Sequence, residues 1–266
     1  MKILHPEANP MGLPAEDVFL AVDDMGTELG SGYICYQFQP HLYPECPLNL
    51  YFSFNAQPSA RYMILGALLA RARQLRDVRP DVRARVYTDI DGNDIKAQDF
   101  YAANNFDLGC VEKFVVMPIP EGDGRIPMSC SVVRSSLAAP EEKLAFITRL
   151  QQNDLGYITP ELLEQLMMQP HFLCLGLYRN TELIGEILMA GQGEMCTLHA
   201  IYITPNARRQ GMARALLHRS MAVMSAEGVT QVSSRIITLS TPQVRLMNDF
   251  GGRDAGVNAI YPSLFM

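Results

Sequence analysis

The run Arg208-Arg209-Gln210-Gly211-Met212-Ala213-Arg214 carries the most specific chemistry in this sequence. Before it, Leu198, Ala200, Ile201, Tyr202 and Ile203 form an apolar run that Thr204-Pro205 stops, as a strand end does. After it, Ala213, Leu216, Leu217 and Met221 recur at helical spacing. A strand, a short polar loop and a helix start together present backbone N–H groups that have no intrahelical partner. The helix dipole adds partial positive charge at the same place. An anion, and a pyrophosphate above all, is the natural guest. Gly211 removes a Cβ where an oxygen would approach, and Arg208, Arg209 and Arg214 add positive charge. A Walker loop would need Lys-Ser/Thr after its last glycine, and a dinucleotide fingerprint would need more glycines and a later acidic residue. Neither is present.

Other chemistry-bearing residues are scattered. Glu186 lies in the apolar run Leu183 to Ala190, where a carboxylate needs a reason, and Glu194 follows it. The six cysteines show no C-x-x-C pair and no histidine at zinc spacing, so buried free thiols and no metal are expected. A net charge of −6 argues against a general nucleic-acid binder and makes the basic cluster near Arg208 a local feature. With 48% hydrophobic and 19% charged residues, the 266-residue chain should pack as a folded protein of two domains. Its first residues are too polar for a signal peptide and no apolar run is long enough for a bilayer, so a cytoplasmic setting without membrane partners is expected.

The elements that position these residues can be read in order. Strands are expected at Val18 to Val22, Gly32 to Phe38 and Leu48 to Phe54, after an irregular start over residues 1–17. A helix from Arg61 to Arg76, a strand from Ala84 to Ile90, a helix from Ile95 to Asn104 and a strand from Gly109 to Ile119 follow. Residues 121–135 are rich in Gly, Pro and Ser and read as a linker. Beyond it come helices over Glu141 to Asn153 and Pro160 to Gln169, the second with a Thr159 cap and Pro at its first position. Strands Phe172 to Tyr178, Leu183 to Ala190 and 198–203 precede the loop, and its helix ends at Gly228. A strand from Gln231 to Ile237, a helix from Pro242 to Phe250 and a strand near Ala255 to Tyr261 complete the chain. The order of the first half is repeated in the second.

Arg208 to Ala213 matches R/Q-x-x-G-x-G/A after a strand ending Ile-Thr-Pro, and this resembles the acetyl-CoA motif of the GCN5-related N-acetyltransferase (GNAT) superfamily. The plainer reading is a βα turn with a solvated basic face. Strand, Pro, Arg/Gln, Gly and Leu-Leu in one register favour the resemblance. Phe100-Tyr101 to Asn105-Phe106 resembles the family's Y-x-x-x-G-F helix end, with Asn105 in the glycine place, and Leu246 to Gly252 is its counterpart. The fold expected is α/β (α+β): two tandem GNAT-like domains, each a mixed, mostly antiparallel sheet flanked by helices. Residues 1–130 form a degenerate domain, with Met63 where the second half has Gly211, and 131–266 carry the motif.

The resemblance implies acetyl transfer from acetyl-CoA to a primary amine by direct attack. The strand main chain at Ile201, Tyr202 and Ile203 would hold the pantetheine arm, and Arg208, Arg209, Gln210, Gly211, Met212, Ala213 and Arg214 the pyrophosphate. Ser240 or Thr241 would touch the cofactor. An alkylammonium (pKa ~10.4) must lose a proton first. His199 in Leu-His-Ala, similar to arylalkylamine acetyltransferases, is the leading base, with a pocket-lining role as the alternative; Glu186 and Glu194 are further candidates. The family's acid tyrosine is replaced by Met247, so Tyr202, Tyr261 or a water would protonate the thiolate. Two other readings stand beside this one: a CoA-binding or interaction module without turnover, and an enzyme using a different acyl-CoA. The acceptor would be a small-molecule or peptide amine, and a homodimer is compatible with the sequence.

Overall fold

The computed structural model describes residues 1–6 and 12–266, so part of the irregular start expected over residues 1–17 lies outside the described residues. The chain divides into two compact units, Met1–Val111 with Asn258–Met266, and Glu112–Val257. This is not a single cut at 130/131.

In the first unit, β1 (Lys2–Leu4), β2 (Val18–Val22), β3 (Glu28–Phe38), β4 (Leu48–Ala56), β5 (Ala84–Tyr87) and β14 (Ser263–Phe265) form one sheet in that order. All neighbours are antiparallel except β4 and β5, which the helix α1 (Arg61–Asp77) connects in parallel. Leu48, Leu50 and Phe52 alternate along β4 onto one face and bury there against Ile64, Leu65 and Leu68 of α1. The expected strand Ala84 to Ile90 is two, β5 and the short β6 (Ile90–Asp91), which pairs with residues 259–260. The helix α2 (Ile95–Ala103) is capped by Asp94, whose side chain accepts from Ala97 N at 3.0 Å. Asn105 follows it with φ 62°, the left-handed conformation expected of the residue in the glycine place.

In the second unit the sheet order is β13 (Arg253–Ile260), β7 (Val111–Pro118), β12 (Gln231–Ile237), β11 (Met195–Ile203), β10 (Glu182–Gln192), β9 (His171–Arg179) and β8 (Cys130–Arg134). The strand β8 falls inside the expected linker over 121–135; Val132 pairs with Leu177 and gives that segment a place at the sheet edge. The helices α3 (Pro140–Gln152) and α4 (Pro160–Met167) cover one face. Thr159 accepts from Leu162 N at 3.2 Å and caps α4 as its sequence predicts. The other face carries α5 (Met212–Ala226) and α6 (Thr241–Asp249), whose Leu216, Leu217, Met221 and Met247 pack on Ile187, Leu198 and Val232. A parallel crossover, β11–α5–β12, repeats the β4–α1–β5 crossover of the first unit. The six cysteines are free thiols.

Candidate active site

One residue in β11 sets the geometry of the second unit. Side chains two apart on a strand share a face. Yet Leu198 packs with α5 while Ala200 packs with α3 and α4. The register explains it: Leu188 lies opposite Ala200 and Met189 opposite Leu198, so His199 is an extra residue, a β-bulge. The bulge also ends a ladder. Strands β11 and β12 pair only from Met195–Gln231 to Leu198–Ser234, although both run on, to Ile203 and Ile237. The two strands part at His199.

Main-chain groups of alternate residues turn to opposite sides of a strand. Thr204 N donates toward β10, to Ile184 O at 2.9 Å, so 199, 201 and 203 turn theirs toward the opening. Tyr157 Oη donates to His199 O at 2.8 Å, and Arg208 Nε donates to Ile203 O at 2.8 Å. Ile201 lies between them, paired with Ile187 of β10 on one side and with no strand along its other edge among the described residues. At the end of this open edge comes the loop. Arg209 and Gly211 both take left-handed conformations, φ 60° and 74°. Ala215 N donates to Gly211 O at 3.0 Å as the first helical bond of α5, which leaves the N–H groups of its first turn for other partners. A Cβ placed on Gly211 meets nothing within 4 Å, so its glycine is required by φ and not by crowding. Arg179 donates to Gln210 Oε1 at 2.6 Å, and Gln210 Nε2 to Asn206 O at 3.1 Å. The side chains of Arg208 and Gln210 thus build the loop, while Arg209, Gly211 and Arg214 are exposed. Met212 is buried and Ala213 half-buried at the helix start. Beside it, Gly211, Arg214, Ala215 and His218 line a depression of about 500 Å³ with residues 121–125.

The candidate bases and acids separate clearly. His199 is half-buried, on the side of the parted strands that carries Tyr157 and Arg235. Burial first, and the charge of Arg235 second, push its pKa down to about 4. It is therefore uncharged at neutral pH, below the ordinary value assumed from the sequence. Glu186 is buried and bound on both oxygens by Arg149, at 2.7 and 2.8 Å, and Tyr202 Oη donates to it at 2.5 Å. Burial and Glu186 hold the Tyr202 hydroxyl well above its usual range. Glu186 and Tyr202 are thus paired with each other and with Arg149 rather than turned to the opening. Ser240, at the start of α6, is fully buried, and Thr241 N donates to Leu239 O. Tyr261 lies in the first unit, with its N donating to Cys110 O and its ring against Tyr87. Glu194 is exposed at the β10–β11 turn, with its carbonyl accepting from Thr230 N at 2.9 Å. Met247 is core. Tyr157 and Arg235 had no signal in the sequence: one stands in a loop and the other in an alternating strand, and only the bulge brings them to His199.

Residues 140–245 match the family model of the acetyltransferase (GNAT) domain. The second half of this chain is a GNAT domain. The matched segment thus belongs to that superfamily, and the match supports acyl transfer as the general class of activity. A probable N-acyltransferase from Enterococcus faecalis V583 is similar in fold, with a TM-score of 0.52 at 10% identity over 92% of this chain and 61% of that one. A GCN5-related N-acetyltransferase from Sphaerobacter thermophilus gives 0.49 at 14% identity, covering 96% of this chain and 82% of that one. A tandem GNAT protein of the clavulanic acid biosynthesis pathway gives 0.48 at 12%, covering 93% and 82%. No curated protein matches the sequence. Both units are mixed sheets flanked by helices, each with one parallel β-α-β crossover. No helix among the described residues is long and apolar enough to cross a membrane, and no metal-ligating cluster occurs among them.

Proposed function

We propose that the GNAT domain binds acetyl-CoA between the parted β11 and β12 and transfers its acetyl group to a primary amine by direct attack. One observation carries this reading: the main chain of Ile201 is an open strand edge that leads to the left-handed Gly211 and the free N–H groups of α5. An extended amide-bearing arm adds to such an edge as a further strand would. An anion at its end meets the first turn of α5, with Arg209 and Arg214 exposed beside it. Acetyl-CoA has both parts in that order and supplies the activated acetyl group.

The amine must arrive uncharged. His199, itself uncharged, accepts a hydrogen bond and orients the amine or the water that carries its proton away. With a value near 4 it does not keep that proton at neutral pH. The nitrogen bonds to the thioester carbon and gives up an N–H proton to water, the carbon–sulfur bond breaks, and the thiolate takes up a proton from solvent, since Met247 has none to give. Thiol pKa is only ~8.5, so the leaving group tolerates this. The buried Met247 also supports the rival reading, binding without turnover.

Calorimetric titration of acetyl-CoA into the intact protein and into Gly211→Glu tests the site. One site per chain is expected, weakened at least on the order of 100-fold by a carboxylate in the anion cradle and a side chain at φ 74°. Unchanged binding in the variant would place the cofactor elsewhere. Release of free thiol with an amine panel separates turnover from binding alone, and longer acyl-CoAs test the acyl group.

A further inference from the structure

The parted strands have a second wall. Thr197 and Ser233 bond through their hydroxyls at 2.8 Å, which puts both on the α3/α4 face of the sheet. Arg235 is two residues on from Ser233 and shares that face. Phe114, its partner on β7, is 40% exposed, and Tyr157 is 48% exposed. The Arg235 side chain is exposed and makes no hydrogen bond or ion pair among the described residues, although its charge reaches His199 and Tyr157. Glu112 lies on the same face of the same strand pair, one diagonal step away, and the two do not form an ion pair. An unbonded guanidinium beside an uncharged imidazole is a fork held ready for an oxyanion.

We infer that the acceptor is an amine that also carries an oxyanion, a carboxylate or a phosphate, and that Arg235 grips this group while the amine lies at His199. The inference rests on the acetyl-transfer reading and narrows its substrate class. Phe114 is the cross-strand partner of Arg235 and Tyr157 Oη holds His199 O, so the two anchors carry an aromatic ring each, and an acceptor of amino-acid size is the one expected. Burial first and this positive charge second keep His199 neutral, and the same charge favours an arriving ammonium shedding its proton.

The test uses matched amines, each with a carboxylate or phosphate and each beside its uncharged amide or alcohol analogue. Thiol release from acetyl-CoA is followed with the full chain and with Arg235→Gln and Arg235→Lys. The readout is the ratio of kcat/KM for the anionic amine over its neutral analogue. A ratio on the order of 10 to 100 is expected for the unaltered protein, near 1 for Arg235→Gln, and between them for Arg235→Lys. The carboxylate and phosphate arms say which oxyanion the fork takes. A ratio near 1 in the unaltered protein, or one that Arg235→Gln leaves unchanged, overturns the inference while acetyl transfer stands. A protein that folds and binds acetyl-CoA but releases no thiol with any amine overturns the transfer reading and this inference with it.

Discussion

Glu186 could be a base or an anchor, and the two roles predict opposite results for one substitution. In the structure both of its oxygens accept from Arg149, and Tyr202 donates a third bond. The side chain of Glu186 is 5% exposed and that of Arg149 34%. Glu186→Gln keeps an acceptor for Tyr202 and lets the half-exposed guanidinium turn to water, so the loss is the charge-assisted part of the pair, about 1.5–3 kcal/mol. Arg149→Ala instead leaves a carboxylate buried with only the Tyr202 hydroxyl as donor, which costs about 3–5 kcal/mol. Arg149→Ala should therefore be the more damaging change, even though Arg149 lies nearer the surface. Urea unfolding of both variants at pH 7 gives the order directly. Turnover gives the role: a lost general base costs about 10²- to 10⁴-fold in rate, whereas a lost anchor leaves the folded fraction active. Glu186→Gln folded at 25 °C with thiol release down by two orders of magnitude would refute the anchoring account. So would a Glu186→Gln less stable than Arg149→Ala.

Two further outcomes follow from the packing. His199, held near 4 in the folded chain against ~6.5 when unfolded, binds its proton more readily in the unfolded state. Its contribution to stability is full above about pH 6.5 and is lost as pH falls toward 4, about 2 kcal/mol at pH 5 and nearer 1 once its partial exposure is allowed for. The wild-type protein should lose that much more stability than His199→Gln between pH 7 and 5 in denaturant unfolding, and equal losses would show an unshifted imidazole. A chain ending at Tyr261 loses β14, with the bonds of Ser263 to Asp107, Met266 to Ala84 and Pro262 to Thr88, and the packing of Leu264. At about 0.5–1.5 kcal/mol per bond this is on the order of 3–6 kcal/mol, and amide exchange should show β4 and β5 losing protection; unchanged protection there would make β14 dispensable.

The fold was legible where local chemistry decides it. Thr159-Pro160, the Asn105 turn and the Gly211 helix start each state their own conformation, because capping, left-handed backbone and free N–H groups depend on a few adjacent residues. Strand membership was less so. Nothing in Ser263-Leu264-Phe265 says that it pairs with β5, or in Cys130 to Arg134 that it closes the other sheet's edge. Those pairings are set by burial across long separations, which a linear reading does not contain. Glu186 illustrates the same limit in chemistry. A carboxylate in an apolar strand signals a partner, but Arg149 is on a different element, and only packing makes the pair.

The site itself depends on a fault that is invisible in composition. In the first unit, β3 and β4 pair without a shift from Gly30–Ala56 to Phe38–Leu48, and β5 stops at Tyr87 where its pairing with β4 stops. The helix α1 begins at Arg61 after Ala60, which is right-handed at φ −102°, so Met63 is already within its first turn. In the second unit, the corresponding strand carries one residue too many, and the following helix opens on a left-handed glycine. The inserted His199 moves Ala200 and Tyr202 to the α3/α4 face, ends the ladder to β12 and exposes the edge at Ile201. Substituting Gly211 alone should remove the proposed anion cradle but leave that edge intact; deleting the bulge should close the edge and turn Tyr202 away from Glu186. Two nearly repeated sheets are thus made unlike by one inserted residue and one glycine, and acetyl-CoA is expected on the unit that has both.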